Sequence, residues 1–233
     1  MKMYSGMKRL ILLSLLIVGD TDAESYECVH KGYGSHCASP NAPGGLLPQE
    51  TPQFIVLTFD DALGRTQYDL SEKVLGYGHK NPNDSPIPAT FYTTNDNTDY
   101  LLAQNLHARG SEIAVHTMTH QTSTDTDYDT WRAEILGCKE ALVSLAQIPA
   151  NEIVGFRAPY LQYNDASFQV LHDNGFLYDA SMTEKRSSKL TDADDGTSFI
   201  WPYTFDNLGA QDHNVGNPPE REYPGLWEIP SKF

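Results

Sequence analysis

The chain has 233 residues, 39% of them hydrophobic, with 13 Tyr, 9 Phe and 3 Trp, so it can bury a sizeable core. That excludes a disordered tail, a collagen-like repeat and a miniprotein held by disulfides alone. Acid dominates, with 31 Asp+Glu against 16 Lys+Arg and a net charge of −15, a balance that repels nucleic-acid phosphates and anionic lipid and argues against both as partners.

Lys2, Lys8 and Arg9 precede an apolar run from Leu10 to Gly19, and Thr21-Asp22-Ala23 follows with small residues at cleavage spacing. Residues 1–23 therefore read as a secretory signal peptide, too short in its apolar part to span a bilayer. No later run of about 18 apolar residues exists, so the expected product is secreted, extracellular and free of a membrane anchor. Residues 24–52, rich in Gly, Pro, Ser and Asn, read as an irregular lead-in. Within it Cys28 and Cys37 are placed to close a small loop in an oxidising compartment, which leaves Cys138 over as a buried thiol or a cysteine with a partner elsewhere.

From residue 53 to 233 the pattern is that of one domain. Phe54 to Phe59 is a continuous apolar, β-branched-rich run, as in a strand buried on both faces. Asn83-Asp84-Ser85 is a glycosylation acceptor sequence in a Pro-rich loop. Ala89 to Tyr92 predicts a second strand; Asp99 to Arg109 predicts a helix with Leu101, Leu102 and Leu106 on one face. Glu112 to Val115 predicts a third strand. A helix from Asp129 places Trp131, Ile135, Leu136, Leu142 and Leu145 at helical spacing. Ile153 to Phe156 is a fourth strand, Asn164 caps a helix ending at Gly175, and Phe176 to Tyr178 is a fifth strand. Phe199 to Trp201 and Leu226 to Ile229 are further strand-like runs. Alternating strands and helices imply βα units around a parallel sheet, closed or open.

The chemistry collects at the strand ends. Asp60-Asp61, His116-Thr117-Met118-Thr119-His120, Arg157-Ala158-Pro159-Tyr160 and Asp179-Ala180-Ser181 all sit just after predicted strands. In a parallel βα architecture these ends share one rim, where active sites form. Two histidines four apart reach the same side of a helical turn. Two neutral imidazoles and a carboxylate make a three-ligand divalent-metal site, most simply zinc, with room for water. Of the adjacent Asp60 and Asp61, one can bind while the other takes a proton.

Thr58-Phe59-Asp60-Asp61, the His116–His120 segment, Arg157 to Tyr160 and Tyr178 to Met182 resemble the first four motifs of the NodB-homology polysaccharide deacetylases (carbohydrate esterase family four). Trp201-Pro202-Tyr203-Thr204 and Pro224-Gly225-Leu226-Trp227-Glu228-Ile229-Pro230 are similar to segments of animal chitin deacetylases. The resemblance covers about residues 44–233 and implies an α/β fold, a deformed (β/α) barrel. It further implies metal-dependent hydrolysis of N-acetyl groups on chitin or related N-acetylglucosamine polymers. Carried over by position, Asp60 is the general base, and Asp61, His116 and His120 are the metal ligands. Arg157 orients Asp60 as a carboxylate, and the Tyr160 backbone N–H and the metal stabilise the oxyanion. Asp179 matches the acid that orients a general-acid histidine. Trp227 lines the sugar groove in this reading, or serves as a core tryptophan in the plainer one.

One departure matters. The family ends in a Leu-x-His motif on its last barrel strand, and no such motif precedes Phe233; neither His172, inside a helix, nor His213, in a polar loop, has its context. The expectation is a domain truncated at its C-terminus and a barrel incomplete there. Three readings are open: a secreted metal-dependent chitin deacetylase, a catalytically impaired glycan-binding protein on the same fold, and a metal hydrolase of another N-acyl substrate.

Overall fold

A computed structural model describes residues 36–39, 41–52, 54–76, 78–184, 200–208 and 215–232. The predicted signal peptide, Cys28, Phe199 and His213 lie outside the described residues. Cys37 is disulfide-bonded, and Cys138 is a buried free thiol. No helix among the described residues is long and apolar enough to cross a membrane.

Nine strands are present among the described residues: β1 (Thr58–Asp60), β2 (Thr90–Thr93), β3 (Glu112–Val115), β4 (Gly155–Phe156), β5 (Tyr178–Asp179), β6 (Thr183–Glu184), β7 (Tyr203–Phe205), β8 (Tyr223–Glu228) and β9 (Ser231–Lys232). Seven form one sheet in the order β1-β2-β3-β4-β5-β8-β7, and β6 pairs with β9 in a separate two-stranded sheet. Every pairing is parallel except the antiparallel contact of β7 with β8. The helices are α1 (Arg65–Leu75), α2 (Tyr100–Ala108), α3 (Tyr128–Leu145) and α4 (Asp165–Asp173).

Local chemistry sets the helix starts. Asp99 accepts from the Leu101 N–H at the head of α2, and Asp127 accepts from the Thr130 N–H at the head of α3. Asn164 and Ser167 form a reciprocal capping box on α4. Trp131, Ile135, Cys138 and Leu142 form the buried stripe of α3, and Leu145 is exposed instead. In α2 the buried positions are Ala103 and Leu106; Leu101, expected on the same face, points outward at 72% exposure. Helix α1 is absent from the sequence reading; only Ser71 is fully buried in it, while Tyr68 and Leu75 pack partly buried against the core and Leu70 and Val74 are exposed.

The sheet curls. Arg157, just after β4, bonds through Nη1 to Asp60 Oδ1 on β1 at 2.7 Å. Three strand spacings along a flat sheet would separate them by roughly 14 Å, beyond an arginine's reach. Tyr92 on β2 and Tyr178 on β5 likewise bring their hydroxyls to 3.4 Å across the concave side. Two apolar layers result. The larger lies between sheet and helices, from Leu63 through Trp131 to Leu226; the smaller, of Tyr92, Ala114, Tyr178 and Ala180, fills the interior. This is the expected deformed barrel, and it is open: among the described residues no strand pairs with the outer side of β1.

That open edge corrects the first predicted strand. Pairing with β2 starts only at Thr58, and Phe54, Ile55 and Val56 are 69%, 76% and 70% exposed. Their apolar run has a buried strand's composition, but among the described residues it is covered only by an edge-on contact of Phe54 with Trp201. Near the C-terminal end the strand expected at Phe199 to Trp201 is found four residues later as β7, Tyr203–Phe205, and the short β6 and β9 carried no sequence signal.

Candidate functional site

Strands β1, β3 and β4, with β2 between the first two, place the residues that follow them on one rim. Asp61, with φ at 79°, turns the chain sharply after β1. His116 follows β3, and His120 returns to the same place through a loop in which Thr117 and His120 have φ of 72° and 59°. The two histidines therefore meet across a left-handed loop, not on the helical turn that their i, i+4 spacing suggests. Asp61 Oδ1 lies 3.1 Å from His120 Nε2 and 3.6 Å from His116 Nε2.

Donor atoms ~2.0–2.1 Å from one shared ion lie roughly 3.3 Å apart, so these three fit a single divalent cation. The imidazole chemistry agrees. His116 Nδ1 is 2.7 Å from the Arg157 carbonyl oxygen, to which it donates, leaving Nε2 as the lone-pair nitrogen facing Asp61 and His120. Burial lowers the His116 pKa, which favours the neutral ring that a metal requires.

Arg157 is the second fixed element. Its guanidinium lies 4.1 Å from the Tyr92 ring centroid. It donates to Ala180 O at 2.9 Å, Thr58 Oγ1 at 3.0 Å, Asp60 Oδ1 at 2.7 Å and Ser231 Oγ at 3.1 Å. Four bonds and an aromatic platform leave the fork one orientation. Asp60 thus has its own cation, while Asp61 faces the histidines; the structure separates two neighbours that the sequence alone left interchangeable. Gln67 of α1 donates to the Asp60 carbonyl at 2.6 Å, tying down the end of β1.

Tyr160 stands at the rim. Its φ is 53°, in the short turn at Pro159–Leu161, and its ring meets His120 edge-on at 4.5 Å while 64% of the residue is exposed. Trp227 on β8 is partly buried against the interior cluster, with its ring 4.6 Å from His36.

Asp179 sits elsewhere than an exposed rim acid. It is 1% exposed and accepts from the Ser181 N–H at 2.9 Å and the Ser181 hydroxyl at 2.6 Å. No histidine among the described residues bonds to it. Its neighbour is Glu228, directly opposite in the β5–β8 register and wholly buried. Burial pushes the Glu228 carboxyl well above the usual range, and the Asp179 charge and a hydrogen bond to Asp179 push it further. Burial raises Asp179 too, but the bonds from Glu228 and Ser181 work against that rise. Glu228 therefore keeps the proton and donates it to Asp179. Glu228 Oε1 accepts from the Met182 N–H at 3.2 Å, and no hydrogen-bond partner reaches Oε2 among the described residues.

A carboxyl whose pKa is raised by folding stabilises the fold fully only below its unfolded value of about 4.3, and that contribution is lost as pH rises through the folded pKa. Glu228→Gln keeps a donor to Asp179 and removes the titration. The variant should match wild type near pH 4 and melt progressively higher than wild type as pH rises. Parallel melting curves across a pH series would show that Glu228 is not a buried acid.

Sequence reasoning assigned no role to Glu228, Ser231 or Gln67. Glu228 had a signal, a carboxylate inside the apolar run Leu226 to Ile229. Ser231 and Gln67 had none, since a lone polar residue gains meaning only from what the fold brings to it.

The family described as "Polysaccharide deacetylase" matches residues 48–178. Chitin deacetylase 8 of Bombyx mori is 36% identical over 239 residues, which cover 96% of this chain and 60% of that protein. Chitin deacetylase 1 of Bombyx mori is 34% identical over 194 residues, covering 80% of this chain and 34% of that one. The chain thus spans three fifths or less of the length of these curated relatives. A putative polysaccharide deacetylase from Mycobacterium smegmatis shares the fold with a TM-score of 0.50 and 23% identity, over 76% of this chain and 57% of that one.

Proposed function

The chain belongs to the polysaccharide deacetylase family, and from that premise we propose that it is a secreted hydrolase removing N-acetyl groups from chitin or a related N-acetylglucosamine polymer. A divalent ion, zinc by its mixed nitrogen and oxygen donors, would be held by Asp61, His116 and His120. The observation that carries the reading is the meeting of that donor triad with an Arg157-bound Asp60 on one rim. When bound, the ion supplies Lewis-acid polarisation of the acetyl carbonyl and of a water.

The remaining work falls to the chain's own side chains. Asp60 takes the proton of the attacking water, and Arg157 holds Asp60 Oδ1 so that the carboxylate does not swing toward the histidines. The Tyr160 backbone N–H donates to the oxygen of the acetyl group as charge builds there. Tyr160 and the exposed part of Trp227 are the proposed sugar contacts, since aromatic faces stack on pyranose rings. Asp179 is too buried to touch substrate, and its proposed part is to position a proton donor for the leaving amine.

The test is acetate release from N-acetylated chitooligosaccharides. Metal-loaded protein should release acetate, a chelator should stop it, and added zinc should restore it. Oligosaccharide binding without acetate release from zinc-loaded protein would replace this reading with that of a glycan-binding protein.

A further inference from the structure

The segment from Thr117 to Thr119 carries no metal donor, yet it decides where two donors sit. It joins His116 to His120 through left-handed backbone at Thr117 and at His120 itself. Non-glycine residues occupy that region at a cost and stay there only when their surroundings enforce it.

The enforcing contacts come from two sides. From the β2–α2 loop, the Asn95 N–H donates to Thr117 O and the Asp96 N–H to Met118 O, each at 3.1 Å. From α3, Glu134 takes the opposite groups. Its Oε2 accepts from the Met118 N–H and the Thr119 N–H, both at 2.9 Å, and its Oε1 accepts from the Thr119 hydroxyl at 2.8 Å. One side chain thereby satisfies two successive backbone donors and a hydroxyl. The helix can come this close because Gly137, one turn on, has no Cβ; one built there would lie 3.1 Å from the Met118 side chain. Glu134 lies outside the donor triad, and its partners lie between the two histidines.

We propose that Glu134 is the positioning residue of the metal centre: its carboxylate clamps Met118 and Thr119 so that His116 and His120 are held at ligating distance before any ion arrives. The inference rests on the metal reading above for its consequence, and on the loop bonds alone for its structural part. A loop fixed in advance removes an ordering cost from metal binding, and partners one step beyond the ligands typically set metal affinity by about 10–100-fold.

Two variants separate a clamp from a merely helpful helix residue. Glu134→Ala removes all three bonds. Glu134→Gln keeps an oxygen for both N–H groups and offers its amide to the Thr119 hydroxyl. Zinc affinity is measured by competition with a chromophoric chelator, and hydrogen exchange of the Met118 and Thr119 amides is followed in metal-free protein. In Glu134→Ala, zinc affinity should fall by ~10–100-fold and both amides should exchange faster, with metal-free melting close to wild type. Glu134→Gln should restore affinity and protection to within about threefold of wild type.

Wild-type affinity and protection in Glu134→Ala would overturn the proposal, as would a Gln variant as impaired as the Ala variant. Should wild type bind no zinc, the metal reading fails by itself, and unchanged amide exchange in Glu134→Ala would independently overturn the clamp.

Discussion

Zinc is expected to leave the protein when His116 and His120 are both replaced by alanine. In the proposed centre the two imidazoles are two of three protein donors, and Asp61 alone would not hold a divalent ion against water. Losing a partner one step outside the ligands typically costs about 10–100-fold in affinity, so losing two ligands should exceed that and take metal content to background. His116 is 2% exposed, so its truncation also leaves a cavity and strips the Arg157 carbonyl of its donor. The melting temperature of metal-free protein must therefore be compared with that of metal-free wild type, to separate loss of the ion from loss of the fold. Folded protein that retains one zinc per chain by elemental analysis would sink the assignment.

The rim was legible in sequence because its residues stand immediately after strands. Asp60 ends β1, Asp61, His116 and Arg157 follow β1, β3 and β4 directly, and His120 comes four residues after His116; of the predicted runs the first pairs only in its last residues. What the sequence could not divide was the labour between Asp60 and Asp61. Both are carboxylates on consecutive residues, and only the left-handed turn at Asp61, with Arg157 arriving from three strands away, sends them to different partners. The means by which the histidines converge was hidden as well. An i, i+4 spacing is a helical signal, and nothing in Thr117-Met118-Thr119 announces a left-handed loop held by Glu134 from another helix. The exposed Phe54 to Val56 show the same limit in the core: an apolar run states what a segment would bury, not whether a neighbour is there to bury it against. The two-residue strands β6 and β9 escaped because they are too short to show a periodic apolar face, and α1 because its core-facing Tyr68 and Leu75 are interleaved with the exposed Leu70 and Val74.

Asp60→Asn tests the division between the two acids most directly. Asparagine keeps the shape of the side chain and an oxygen for Arg157 Nη1, so the four-bond arrangement of the guanidinium should persist. The variant loses only the capacity to take a proton at neutral pH. Loss of a general base typically lowers rate by on the order of 10²–10⁴-fold, which corresponds to about 3–5 kcal/mol of transition-state stabilisation. The loss should fall on kcat, because Asp60 is assigned to proton transfer and not to holding the sugar, and KM should change little. Zinc content should remain that of wild type, because Asp60 faces Arg157 while Asp61 faces the histidines. The reciprocal variant, Asp61→Asn, should show the opposite pattern, with metal affinity reduced first and activity recovered in part by excess zinc. Acetate release and elemental analysis on the two variants side by side decide the matter. If Asp60→Asn loses its metal and Asp61→Asn keeps it, the two acids have exchanged roles; if Asp60→Asn releases acetate at the wild-type rate, the base lies elsewhere on the rim.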